Sequence, residues 1–218
     1  RRFLSDDDHP WKSAYASFLQ RADWVESAAT FWALKRSLNG QPWWDWPEAL
    51  RDRVPSALAS AQLTLAEDIA IWSVLEFFFD RQWRQARSYL AARGINLLGD
   101  IPIYVGEDSC DVWANRSLFQ LDAQGRPTHV AGCPPDAYSE DGQRWGNPLY
   151  NWEAMAEQNF DWWVRRMQRA LELTDTVRID HFLGIVRYWS IPATDDTAVG
   201  GEWCKGPAKA LFDVLEAE

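Results

Sequence analysis

Between Ile69 and Leu90 the apolar residues return at steps of three and four: Ile69, Trp72, Leu75, Phe79, Trp83, Ala86 and Leu90. That period lines one face of an α-helix. It predicts a long helix from about residue 62 to 93, ended by Gly94. Upstream, Asp8-His9-Pro10 reads as a helix start, since proline is tolerated in the first turn. Asp23 is the expected cap of a second helix that runs to about Leu38 and stops at Asn39-Gly40. Gln41-Pro42-Trp43-Trp44-Asp45-Trp46-Pro47 forms a turn-rich joint. Residues 1–93 are therefore expected to be a helical subdomain.

The pattern changes after Gly94. Residues 95–105, Ile95-Asn96-Leu97-Leu98-Gly99-Asp100-Ile101-Pro102-Ile103-Tyr104-Val105, are short, β-rich and apolar on both faces. Such a run suits a strand of a parallel sheet covered on each side. Residues 106–148 are dense in Gly, Pro, Asp and Asn with little periodicity, and a loop this long in a compact domain is usually functional. A helix over 151–173 follows, its apolar side marked by Trp152, Met155, Phe160, Trp163, Met167 and Leu171. A second strand, 176–182, completes a βαβ unit, which makes the sheet parallel and the class α/β. The trailing segment, 183–218, ends in an amphipathic helix from Pro207.

Composition narrows the function. Lys and Arg total 22 against 32 Asp and Glu, a net charge of −10, which repels phosphate backbones and argues against a nucleic-acid partner. No apolar run approaches the ~20 residues of a membrane helix, and Arg1-Arg2-Phe3-Leu4-Ser5-Asp6 has no secretory h-region. The chain has no initiator Met, which points to a processed or truncated chain. Cys110, Cys133 and Cys204 are odd in number and widely spaced, as expected of a reducing cytosol. His9 and His129 have no ligand partners at metal spacing, so neither a metal site nor a cofactor is expected. The 15 Trp residues suit sugar C–H faces, although burial in a core is the commoner use of such rings.

The densest chemistry lies in Arg178-Ile179-Asp180-His181. Strand alternation sets Arg178 and Asp180 on one face. An adjacent Arg keeps a carboxylate ionised and oriented, as a carboxylate nucleophile requires, and a buried structural ion pair has the same signature. Asp100 sits on the preceding strand. Between the strands, Asp136, Tyr138, Gln143, Trp145 and Asn147 offer carboxylate, amide and ring on a proline-stiffened backbone, which suits gripping hydroxyl-rich rings. Glu140 and Asp141 read as solvated.

Four runs resemble the amylomaltases (4-α-glucanotransferases) in order and spacing. They are Gly99-Asp100-Ile101-Pro102-Ile103-Tyr104-Val105, Asp111-Val112-Trp113-Ala114-Asn115, Gly142-Gln143-Arg144-Trp145-Gly146-Asn147-Pro148-Leu149-Tyr150 and Arg178-Ile179-Asp180-His181-Phe182. Phe31-Trp32-Ala33-Leu34-Lys35 and Arg81-Gln82-Trp83-Arg84 are similar too.

The resemblance implies part of a (β/α)8 TIM barrel of the α-amylase clan, with helical and loop subdomains inserted between strands and residues 94–218 as a partial barrel. It implies retaining transfer of α-1,4-glucan segments, with starch, glycogen or maltooligosaccharide as partner. On these positions Asp180 becomes the nucleophile and Arg178 its orienting partner. Asp100 and His181 line the adjoining sugar subsite, and Asp136, Tyr138, Gln143, Trp145 and Asn147 arch over the glucan.

One departure stands out. A retaining reaction needs a second carboxyl roughly 5–5.5 Å from the nucleophile, and the family's Glu-Asp-Leu-Gly motif for it does not occur in the sequence. The chain is therefore expected to be a central fragment, inactive alone. Glucan binding without turnover and amylase-type hydrolysis are the competing readings.

Overall fold

A computed structural model of the chain describes residues 1–217, which divide into two compact units, Arg1–Tyr89 and the residues from Leu90 onward.

The first unit is helical. Its longer helices are Lys12–Arg21, Trp24–Ser37, Pro55–Thr64 and Ala66–Ala91. Asp8-His9-Pro10 is a turn ahead of the first of these, with His9 Nδ1 accepting from the Trp11 N–H at 3.2 Å. Asp23 stands at the next helix start but makes no side-chain capping bond. The stop is as expected: Asn39 and Gly40 take left-handed φ angles of 55° and 75°, and the Gly40 N–H closes onto Lys35 O at 2.8 Å.

The long helix differs from its expectation in two ways. It begins at Ala66, after an 84° bend at Leu65 that separates it from Pro55–Thr64. Glu67 and Asp68 lie in its first turn, where the helix dipole favours acids. Its buried side carries Ser73, Val74, Phe77 and Asp80, while Leu75 and Phe79 of the expected face are exposed. The helix is apolar on more than one side, and packing decides which side is covered. Val74 and Phe77 join Phe3, Phe18, Ala22 and Val25 in one cluster, and Asp80 is held by Arg21 (2.6 Å) and Arg84 (2.9 Å).

The second unit contains two sheets. β1 (Leu98–Pro102) pairs in parallel with β4 (Thr176–Asp180). β2 (His129–Cys133), β3 (Gln143–Pro148), β5 (Arg187–Pro192) and β6 (Glu202–Lys205) form an antiparallel sheet in the order β3-β2-β5-β6. The stretch 106–148 is thus not one loop: it includes β2, β3 and the helix Cys110–Ala114, capped by Ser109 Oγ. Segment 183–218 supplies β5, β6 and the helix Lys209–Leu215. The expected 151–173 helix is two, Trp152–Glu157 and Asp161–Leu173, because Asn159 and Phe160 both take left-handed φ. Leu171 of its predicted apolar side is exposed.

The class is α/β, and the described residues form a parallel pair rather than a closed barrel. One face of that pair is open, unlike the strand covered on both sides that the sequence suggests, and this open face carries the charged residues. No single helix among the described residues is long and apolar enough to cross a membrane. Trp43, Trp46, Trp113, Trp162 and Trp163 are buried, the commoner use of such rings.

Candidate active site

Side chains two apart along a strand share a face. On β4 this exposes Arg178 and Asp180 and turns Val177 and Ile179 inward. On β1 it exposes Asp100 between half-buried Gly99 and Ile101. The register sets Asp100 opposite Arg178 and Pro102 opposite Asp180, so three charges gather on one face of two adjacent strands.

Arg178 is the centre of this group. Its Nε donates to Asp100 Oδ1 (2.9 Å) and its Nη2 to Asp100 Oδ2 (2.5 Å), the planar fork matching both carboxylate oxygens. The same Nη2 lies 3.5 Å from Asp180 Oδ1, a looser ion pair. The hydrogen bonds from Arg178 hold Asp100 below the ordinary carboxylate range, and they raise Arg178 in return. All three side chains are more than half exposed, so the pairing sets geometry more than stability. Both Asp100 oxygens accept from the guanidinium, and its side chain remains about half exposed on the open face.

His181 ends the strand with φ 52°, a left-handed conformation that costs a non-glycine residue about 1–3 kcal/mol. The turn brings its ring edge-to-face with Trp145, centroids 4.8 Å apart at 90°. Burial lowers the His181 pKa below that of an ordinary imidazole, with Asp180 opposing the shift. Gly184 allows this packing: a Cβ there would sit 2.7 Å from Ile103 Cδ1 and 3.2 Å from His181 Cδ2.

On β3, Gln143 and Trp145 share a face, and the Trp145 indole N–H donates to Gln143 Oε1 at 3.0 Å. Asn147 is a tie between segments, its amide donating to Val105 O at 2.8 Å. Asp136 and Tyr138 lie at the tip of the β2–β3 hairpin. There Asp136 Oδ1 accepts from the Tyr138 and Ser139 N–H groups (2.8 and 2.9 Å), and Tyr138 is 99% exposed. The structure therefore gathers Asp100, Arg178, Asp180, His181, Trp145 and Gln143, and gives Asp136 a turn-forming bond.

Sequence reasoning missed Tyr104, which is buried and stacked on Tyr150 (5.7 Å) while also contacting Trp145 (6.3 Å). It missed Arg166 as well, whose signal is a cation next to the Trp162-Trp163 pair of an aromatic helix face. Among the described residues, no three His, Cys, Asp or Glu side chains are grouped to hold a metal ion.

An α/β chain with this charged row belongs to the 4-alpha-glucanotransferase family, whose model matches residues 1–218. The chain is 48% identical over 206 residues to the 4-alpha-glucanotransferase of Thermus thermophilus, covering 94% of this chain and 41% of that protein. It is 47% identical to the chloroplastic/amyloplastic 4-alpha-glucanotransferase of Solanum tuberosum, covering 89% of this chain and 34% of that one. Its structure resembles the amylomaltase from Streptococcus agalactiae in complex with acarbose, with a TM-score of 0.94 and 38% identity, covering 99% of this chain and 43% of that chain. The chain thus spans well under half the length of these relatives.

Proposed function

We propose that this chain carries the nucleophile portion of an enzyme that transfers α-1,4-glucan segments by retaining double displacement. The observation that carries the reading is Asp180 at the end of β4, sharing the open face with Arg178 at 3.5 Å. In the first step an Asp180 oxygen attacks the anomeric carbon. The bond from that carbon to the glycosidic oxygen breaks, and the departing chain takes a proton from an acid. In the second step the 4-hydroxyl of an acceptor glucan attacks the same carbon and the Asp180 carboxylate leaves. The hydroxyl proton passes to the group that served as acid in the first step, now deprotonated and acting as base. Arg178, fixed by Asp100, keeps positive charge beside the attacking oxygens without locking them. Trp145 and His181 supply a ring wall next to the reacting sugar, with Gln143, Asn147, Asp136 and Tyr138 on the glucan side. The acarbose complex of the Streptococcus agalactiae neighbour supports a carbohydrate ligand.

The reading extends to domain roles. Residues 1–93 are a helical insertion, and 94–218 supply two strands of a (β/α)8 barrel. The acid/base carboxyl is not identified in this sequence, which lacks Glu-Asp-Leu-Gly. That favours glucan binding without turnover for the 218 residues alone. The test is Asp180→Asn in a protein of full family length, treated with a fluorinated maltosyl donor and analysed by intact mass. The parent should gain a glycosyl adduct and the variant none; an adduct on the Asn variant would remove Asp180 from the reaction.

A further inference from the structure

The end of β1 is held from outside the strand. Arg166, on the helix Asp161–Leu173, donates through Nη2 to Pro102 O (2.5 Å) and through Nη1 to Ile103 O (2.9 Å) and the Tyr150 hydroxyl oxygen (3.1 Å). Tyr150 donates to the same Ile103 carbonyl at 2.5 Å. Two residues on, Val105 O accepts from Asn147. The guanidinium also lies over Trp162 (5.3 Å) and Trp163 (5.0 Å), which fixes its plane. A single cation therefore fixes two successive carbonyls, a task suited to a planar multi-donor fork and not to an ammonium point charge.

Tyr104 sits between these anchored carbonyls. Its ring touches Trp145, Trp145 abuts His181, and His181 follows Asp180. Pro102, the first anchored residue, is the register partner of Asp180 itself. We propose that Arg166 is a positioning residue of the Asp180 site: by fixing the exit of β1 it sets the Tyr104–Trp145–His181 row beside the nucleophile. As a statement about an active site this rests on the reading of Asp180 given above. Arg166 touches no reacting atom in that reading; it acts through Tyr104 and Trp145.

Arg166→Lys and Tyr150→Phe in the 218-residue chain test this by NMR of the histidine rings. His9, His129 and His181 are the three histidines, so assignment is direct. In both variants the His181 ring signals should move toward those of an unstacked imidazole while those of His9 stay in place. Arg166→Lys should add little when Trp145→Ala is already present, because both act on one contact. Unmoved His181 signals in a folded Arg166→Lys chain, or shifts fully additive with Trp145→Ala, would overturn the proposal. A purely stabilising arginine would lower the melting temperature and leave His181 alone. Should Arg166→Lys fail to fold, Tyr150→Phe decides by the same outcomes, since it removes only a hydroxyl. Maltohexaose titration of the wild-type chain separates the two readings. Silence there beside a moved His181 in the variants counts against the carbohydrate reading and for the positioning role.

Discussion

Arg178 grips Asp100 with two hydrogen bonds of 2.9 and 2.5 Å, yet it reaches Asp180 only at 3.5 Å. The asymmetry has a chemical sense. On the proposed reading of Asp180 as nucleophile, a carboxylate held by a bidentate fork is poorly placed to advance on an electrophile, while one in a looser ion pair keeps room to move. Asp100 is the fixed partner and Asp180 the free one.

Replacing Arg178 by Met should therefore show first at Asp100. Its carboxyl carbon, followed by NMR titration, should titrate below the ordinary carboxylate range in the wild type and return to that range in the variant. The linkage follows from that sign. With the folded pKa depressed, the pair contributes stability above the unfolded value, and that contribution is lost as pH falls through the folded one. The wild type should then lose stability on acidification more steeply than Arg178→Met. An unchanged Asp100 titration would show that the fork does not form in solution.

Much of this site was legible because strand alternation is a strict rule. Arg178 and Asp180 had to share a face once 176–180 was a strand, and Asp100 needed only a parallel neighbour to join them. The hairpin was not legible, since Gly, Pro and Asp in 106–148 mask the short strands β2 and β3. β2 takes a partner far along the chain, Ala131 pairing with Ser190 and Gly132 with Trp189, and β3 adds to its other side. The buried side of the long helix was hidden for a related reason. Leu75 and Phe79 have the right period, but the cluster around Phe3 and Phe18 takes Val74 and Phe77 instead. Arg166 was obscured because a cation among aromatic residues reads as a solvated exception until its carbonyl partners are known.

Gly142 closes the β2–β3 hairpin with φ +67°, and a Cβ there would lie 2.5 Å from Cys133 O. Both the backbone conformation and the space exclude a side chain. Gly142→Ala should destabilise the second unit by about 1–3 kcal/mol, read as a lowered midpoint in urea at unchanged slope. A midpoint equal to that of the wild type would mean the hairpin tip is not held in this form.

Asp80 is almost fully buried on the long helix and takes hydrogen bonds from Arg21 and Arg84, both of which stay about half in solvent. A buried carboxylate that loses a charged donor keeps its desolvation cost. Arg21→Met is therefore expected to destabilise the first unit by about 1–3 kcal/mol. The conservative Arg21→Lys should recover part of that. A loss under about 0.5 kcal/mol on chemical denaturation would show that Asp80 is satisfied without Arg21.

Trp145 offers the direct test of the glucan wall. Its indole N–H is taken by Gln143, one side of the ring is against His181, and 37% of the residue remains exposed. On the proposed reading, that leaves an apolar surface for a sugar C–H face, with the Gln143 amide beside it for hydroxyls at the sugar edge. Removing the ring should weaken maltoheptaose binding by about 1–2 kcal/mol, the share of a large side chain's burial that a half-exposed ring can add. In a titration calorimeter that is a rise in Kd of about 5- to 30-fold. Trp145→Phe should lose less, since it keeps a flat face but not the bond to Gln143. Equal affinities for the wild-type and Trp145→Ala chains would make this ring a packing residue, with His181 its only purpose.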